Sequence, residues 1–529
     1  MTAASATAAH LGVAHPARAK RDRLIVTVAA MMATLMQALD NTIANVALPH
    51  MQGSLAATSD QITWVLTSYI VAAAIFTAPV GWLANRFGRK NFFVATLIGF
   101  TVASILCGVA ETLPQMVFFR ALQGMFGAAL VPLSQTTMFD LYPVEQRGTA
   151  MAMWGMGVMI GPIMGPTLGG YLTDMYNWRW VFYVNLPFGI LAVAGLWFFM
   201  KDEVRATALR FDWMGFGMLS LGLGAFQLFL DRGEGQDWFG SSEIILEAVL
   251  AGLGVYLFAV HMFTTKTPFI SPKIFTDRNF LGGFFMMFTM GLVLLSSSAL
   301  LPPYLQSLGG YSVTDAGLLM APRGVGTMIA MLIAGRLSSR MDPRLLMLGG
   351  IVMMTIAVWF MTGWTPDVSS SSIVWTTMLQ GFGMGFVFIP LQVVAFATLD
   401  PKFRTDGAAL FSLMRNIGSA IGVSLAVVLL TQSSAIMHAQ FAEQITPFNR
   451  ALETGAAGLF LNPHMSAGLT ALDAQISRQA SIIAYGNVFE SMLFAGMPAA
   501  LALLLMRRPP KHPQKPPGEE PKAAAVMLE

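Results

Sequence analysis

The 529-residue chain is 55% hydrophobic and only 11% charged, with 50 Gly and 38 Met. Soluble domains carry about 25% charged residues, so this composition excludes an ordinary water-soluble fold. A net charge of +3 and a pI near 9.0 would suit nucleic acid, but the Lys and Arg lie in short connections between apolar runs, where membrane topology accounts for them better.

Residues 1–23 form an Ala-rich and then basic tail (Arg18, Lys20, Arg21, Arg23). No small-residue cleavage site follows a short apolar core, so span 1 is expected to act as its own insertion signal. From Leu24 onward, apolar runs long enough to cross ~30 Å of hydrocarbon recur. Fourteen spans are expected, at 24–47, 61–83, 91–110, 114–138, 149–172, 179–200, 213–230, 243–263, 279–301, 315–337, 344–362, 372–398, 406–431 and 481–506. They group as a six-helix bundle over 24–200, an accessory hairpin over 213–263 and a second six-helix bundle over 279–506. The fold class is thus an all-α polytopic membrane protein. The connection 432–480 is one long outer loop whose polar stretches, MHAQFAEQ and LDAQISRQ, are expected to form short helices. The tail 507–529 is Pro-rich, charged and expected to be disordered.

An even number of spans puts both ends of the chain on one side. Most of the 31 Lys and Arg fall in the two tails and in connections after even-numbered spans. The positive-inside rule then assigns both termini to the cytoplasm. GWLANRFGRK (81–90), after span 2, and GRLSSRMDPR (335–344), closing span 10, align without gaps at Gly81/Gly335, Leu83/Leu337 and Arg86/Arg340. Two related halves with spans 7 and 8 inserted between them describe a transporter architecture.

Charges inside spans are the candidate functional groups, because each costs about 2.5–3.5 kcal/mol at the centre of a bilayer on insertion scales. In LDNTIANVALP (39–49), Gln37, Asn41 and Asn45 recur every four residues and form a polar stripe with Asp40 at its edge. Such a stripe belongs in a bundle interior or a watery cavity. Arg120, with Gln123 one turn on, is the expected cation from span 4. Asp40 is expected to exchange protons between the two sides with Arg120 tuning it; the competing reading is a helix-to-helix hydrogen bond that fixes span 1. Arg415 and Glu490 are further proton-coupling candidates. Glu247, near the outer end of span 8, is expected to snorkel to the interface. Met, Phe and Trp suit an adaptable apolar cavity. Its polar candidates are Gln37, Asn41, Gln123, Tyr304, Gln306, Arg323 and Gln392.

GVMIGPIMGPTLGG places Gly157, Gly161, Gly165 and Gly169 four apart on one face of span 5. That face reads either as a close helix contact or as a hinge or seal between halves that separate. Pro162 and Pro166 are expected to bend the helix. No GxxxxGK[ST] loop, His/Cys metal cluster or nucleophile motif is present, so the chain is read as no enzyme, with no cofactor and an ion gradient as its energy source.

GPxxGPxxGG (Gly161, Pro162, Gly165, Pro166, Gly169, Gly170) resembles the antiporter signature of the major facilitator superfamily. GWLANRFGRK and FFRALQGMFGA (118–128) resemble its loop and span 4 motifs. LDNTIANVALP, NWRWVFYVNLPFG (177–189), LDRGEGQDWFG (230–240) and MHAQFAEQITPFN narrow the resemblance to fourteen-span drug:proton antiporters of the EmrB type. The resemblance implies alternating access driven by protons, amphipathic drugs as substrates, a periplasmic membrane-fusion adaptor with an outer-membrane channel, and an inner-membrane location. It also implies a conformational latch around Gly81, Asn85, Arg86, Gly88 and Arg89; Asp140 is the expected partner of Arg89, either in that latch or in a solvated loop ion pair worth about 0–1 kcal/mol. Asn85 departs from the family, which usually has Asp there. Two alternatives stand beside multidrug efflux: export of one specific metabolite on the same scaffold, and a non-transporting membrane receptor or assembly partner.

Overall fold

The computed structural model describes residues 16–143, 146–201, 210–338, 340–445, 461 and 465–507. Every regular element among them is helical. Twelve helices are long and apolar enough to cross a bilayer, and two bent pairs bring the number to fourteen. Span 2 is one such pair, Trp64–Thr77 and Val80–Phe87, bent by 60° at a break that holds Pro79. The other is span 5 (Arg147–Met175), bent by 44° between Gly165 and Thr167, where Pro166 removes a backbone donor.

Span 1 (Pro16–Ser54), span 3 (Arg89–Val109), span 4 (Leu113–Leu141) and span 6 (Trp180–Phe199) join spans 2 and 5 in the first half. The second half holds spans 9 (Arg278–Pro303), 10 (Val313–Leu337), 11 (Pro343–Thr362), 12 (Ser370–Ala397), 13 (Arg404–Glu443) and 14 (Ser466–Leu505). Spans 7 (Trp213–Arg232) and 8 (Ser242–Thr264) form the accessory hairpin. It is tied to span 2, where the Thr67 hydroxyl donates to Asp231. Glu247 does not snorkel: it is buried and accepts from Arg232 of span 7 at 2.8 Å, so a partner on the neighbouring helix replaces water.

The glycine ladder of span 5 faces its own half. A Cβ on Gly161 would strike Ala38 and Leu39, one on Gly165 would strike Thr42, and one on Gly169 would strike Ile43, all in span 1. Gly157 also faces span 1, at Met31, while Gly170 stands clear. Of the two readings of this face, the structure shows the close helix contact. The surface toward the other half lies elsewhere on span 5, where Gly148 meets Gly335 and Gly155 meets Met331.

The repeat is more regular than the loop motifs suggest. Gln135 Nε2 donates to Gln392 Oε1 at 2.6 Å across a spacing of 257 residues. The same spacing relates Gln123 to Gln380, Phe139 to Phe396, Gly161 to Gly418 and Gly165 to Gly422. Gly418 and Gly422 pack against span 9 at Phe288 and Leu292, as Gly161 and Gly165 pack against span 1. Equivalent residues thus build both halves, and two equivalent pairs meet where the halves touch, the glutamines and Phe139/Phe396 at 5.3 Å between ring centroids.

Both ends of the described chain lie on one face, here the terminal face. Arg23 at the start of span 1 stacks on Tyr142 past the end of span 4, Asp140 beside it bonds Arg404 at the start of span 13, and Met506 lies against Gly282 at the start of span 9. The halves meet tightly toward this face. Trp154 lies parallel to Phe388 at 6.0 Å and 10°, with Gln135/Gln392 and Phe139/Phe396 as further bridges. Farther from that face spans 5 and 10 still meet, Ile163 against Gly324, but span 1 stands open. Thr34 of span 1 bonds Trp154 at this junction, and Asn41 and Asn45 follow on the same helix face, yet both are exposed. The gap between the halves is therefore a cleft closed by Trp154 and Phe388 and open on the side away from the chain ends.

Spans 13 and 14 are each 40 residues. At 1.5 Å per residue that is about 60 Å, roughly twice the hydrocarbon thickness. The segment expected as a loop with short helices is therefore, at 432–443 and 466–480, the continuation of these two spans; 446–460 and 462–464 lie outside the described residues. His438 and Asp473 at 3.0 Å, and Asn487 donating to Ser433 at 2.8 Å, hold the projecting hairpin together.

Candidate functional site

Asp40 lies on the side of span 1 turned away from the cleft, inside the first half, and is fully buried. Arg120 Nη1 donates to its Oδ2 at 2.7 Å. Gln123 Nε2 donates to Oδ1 at 2.7 Å, and Asn185 Nδ2, at the start of the long helix of span 6, donates to the same oxygen at 3.3 Å. All three partners are donors, so the carboxylate is satisfied as an acceptor on both oxygens.

The guanidinium is held as firmly. Arg120 Nε donates to the Val65 carbonyl at 3.0 Å, and Nη1 also reaches Gln123 Oε1 at 2.8 Å. Its plane lies over the Tyr69 ring at 4.3 Å. Asn185 is oriented by Ser104 Oγ at 3.0 Å, and Ser104 in turn donates to the Phe182 carbonyl at 2.8 Å. Spans 1, 2, 3, 4 and 6 each contribute, so the charged pair sits in a polar network at the centre of one bundle. A buried ion pair is little evidence of stability, since desolvation offsets its attraction. Its use is that two charges sit ready in low dielectric, where a proton gained or lost changes the forces between five helices.

The structure brings together Asp40, Arg120 and Gln123 of the residues singled out by sequence. Asn185 and Ser104 were missed, although an Asn inside VFYVNLPFG is the kind of polar interruption that marked Asp40. Gln37 is half-buried beside Tyr69, and Asn41 is exposed on the cleft. The other cavity candidates scatter. Gln392 closes the cleft with Gln135; Tyr304 is buried at the far end of span 9 and donates to the Thr365 carbonyl at 3.0 Å; Gln306, nearby, is exposed. Arg323 is buried in span 10 and donates to Ser298 Oγ at 2.8 Å. These residues do not form one site, because polarity alone does not distinguish a cleft wall from a helix end.

Arg415 is half-buried about three turns into span 13, and among the described residues no hydrogen bond or ion pair reaches its guanidinium. Glu490 departs from the expectation of an interior titrating group. It is exposed, and Phe494, Met497, Leu501 and Leu504 follow it along the same outward stripe of span 14. Gly486, one turn away, faces Thr362 at the end of span 11, so Glu490 lies about one turn from the level at which span 11 ends and not at mid-depth.

The expected Arg89–Asp140 pair is present and has an additional arm. Arg89 Nη1 donates to Asp140 Oδ2 at 2.5 Å, and Arg404 Nη1, from the second half, donates to Oδ1 at 2.7 Å. One carboxylate therefore joins spans 3, 4 and 13 on the terminal face. Gly88 makes the corner between spans 2 and 3 at φ 83°, a left-handed value that a side chain would strain. Gly81 meets span 13 directly, Arg86 is half-buried, and Asn85 is exposed.

The Major Facilitator Superfamily model matches residues 30–423. The chain is 35% identical over 471 residues to the multidrug export protein EmrB of Escherichia coli K12, covering 88% of this chain and 92% of that one. This chain belongs to the Major Facilitator Superfamily, in its EmrB-type group. The facilitator is also 34% identical to the fatty acid resistance protein FarB of Neisseria gonorrhoeae, over 92% of its own length and 96% of FarB. Among solved structures, the proton:xylose symporter XylE superposes with a TM-score of 0.58 at 13% identity, over 90% of this facilitator and 95% of XylE, a likeness of fold alone. Among the described residues no group of three His, Cys, Asp or Glu is placed to hold a metal ion.

Proposed function

We propose that this facilitator exports amphipathic toxic compounds in exchange for protons, by alternating access between its two halves. Relatives named for multidrug export and fatty acid resistance supply the substrate class. The observation that carries the mechanism is the placement of Asp40. Its carboxylate is sealed in the first half against Arg120, while the next residue, Asn41, stands in the open cleft. A small rotation of span 1, or release of Arg120, exposes the acid to cleft water on one side of the membrane. Protonation then cancels one charge of the pair, and Arg120 relaxes toward Gln123 and the Val65 carbonyl, which it already bonds. That rearrangement reaches five helices at once and biases which face is open.

The charge distribution of the loops supports a cytoplasmic terminal face, and with that orientation the cleft described here opens outward. The projecting hairpin of spans 13 and 14 then stands in the periplasm, where an adaptor protein would meet it. The chain's many Met and aromatic side chains suit a cleft that accepts amphiphiles of varied shape.

The test uses purified full-length protein in proteoliposomes with an imposed pH gradient. Flux of a planar aromatic cation, a long-chain fatty acid and a lipophilic weak acid is measured beside proton movement. Gradient-dependent flux of at least two of these is expected. Flux of none, at any gradient, sinks the exporter reading.

A further inference from the structure

Gly81 and Gly335 occupy equivalent places in the two halves, and each meets the start of the fifth helix of the opposite half. The two crossings differ. Gly335 packs on the backbone of Gly148, two bare backbones together. Gly81 packs on Asp406, whose carboxylate Oδ1 fills the place a Cβ of Gly81 would take, with the Asp406 Cα itself 2.9 Å from that point. One crossing of the terminal-face gate is therefore neutral and the other carries an acid.

That acid has no partner: among the described residues no hydrogen bond or ion pair reaches Asp406. The nearby charges are committed elsewhere. Arg89 and Arg404 share Asp140, Lys402 holds Asp400 at 2.8 Å, and His261 holds Asp212 at 2.8 Å. Arg86, on the lower arm of span 2, and Arg278, at the start of span 9, make no bond to it, and Asn85 brings no charge. Asp406 is half-buried here, so closing the gate presses an unpaired carboxylate against a glycine backbone and strips part of its water with no new bond in exchange.

We infer that Asp406 is a second proton-linked carboxylate of the transport cycle, one that lets the terminal-face gate close when protonated and loosens it when ionised. An unpaired anion is costly to desolvate, whereas a neutral carboxyl is not, so a proton bound at the crossing favours the closed state by linkage. The proton enters and leaves from water on the terminal face, so Asp406 reports the pH of that compartment while Asp40 handles the exchanged proton. The inference rests on the alternating-access reading.

The test places spin labels on Phe87→Cys, at the end of the lower arm of span 2, and Lys402→Cys, before span 13, both exposed. Label distances in full-length protein in nanodiscs report gate opening without any substrate. The population open on the terminal face is expected to rise about threefold from about pH 6 to about pH 8. Asp406→Asn, close to isosteric, is expected to hold the gate mostly closed and to remove most of the pH dependence, leaving only the share that Asp40 contributes. If Asp406→Asn follows the wild-type profile, the assignment of Asp406 is wrong and alternating access stands. If the labels never move in any variant or with any substrate, alternating access itself is wrong, and Asp406 with it.

Discussion

At equivalent positions in the two halves, Gln123 and Gln380 keep very different company. Gln123 bridges Asp40 and Arg120, both fully buried. Gln380 donates only to Ser297 Oγ, at 3.1 Å, and its own oxygen is unsatisfied. The place of Arg120 is taken by Thr377, whose hydroxyl bonds the Ile373 carbonyl of its own helix, and that of Asp40 by Ser297. A single helical scaffold therefore tolerates either a charged network or an uncharged one at this depth. The difference teaches that the first half holds the electrostatic machinery while the second supplies the opposing wall and gate surfaces.

Substitutions at matched positions sharpen or break this comparison. The largest effect is expected at Asp40: Asp40→Asn keeps the shape, and gradient-driven export in proteoliposomes should fall to the level of empty vesicles, whereas Ser297→Ala should leave it intact. Comparable losses from both would end the division of labour. Next, Arg120→Met strands a buried carboxylate and should cost about 3–5 kcal/mol. Thr377→Val should cost about 1 kcal/mol, and thermal melts in detergent compare the two. Arg415→Met should act with the opposite sign, because an unpaired cation about three turns into a span carries a penalty of up to about 3 kcal/mol. A higher melting midpoint is expected, and a lower one would reveal a partner. Gly335→Ala forces the second crossing apart by about 1–3 kcal/mol and should raise labelling from the terminal face. Smallest of all, Glu490→Gln should change stability by less than about 0.5 kcal/mol and leave transport unaltered.

Much of this was legible in the residues themselves. Apolar runs and loop charges marked fourteen spans, and a lone acid in span 1 with an arginine in span 4 marked the buried pair. Less legible was anything that depends on which way a helix face turns. The glycines of span 5 have the spacing for close packing, but spacing does not name the neighbour, and span 1 of the same half is that neighbour. Glu490 looked internal because the span around it is apolar, yet lipid-facing and core-facing sides are both apolar in a membrane. Asn185 and Arg404 escaped notice because their importance comes from residues far away in sequence. Asp406 was taken as the first residue of a span, and only the Gly81 crossing gives it meaning.

Span 13 starts at Arg404 beside the gate and continues as one unbroken helix to Glu443, about 60 Å away. A stiff rod of that length magnifies small rotations: a tilt of about 10° at its base swings its tip through roughly 10 Å. Whatever seats itself on that tip would be moved mechanically each time the halves exchange places, with no separate signal needed.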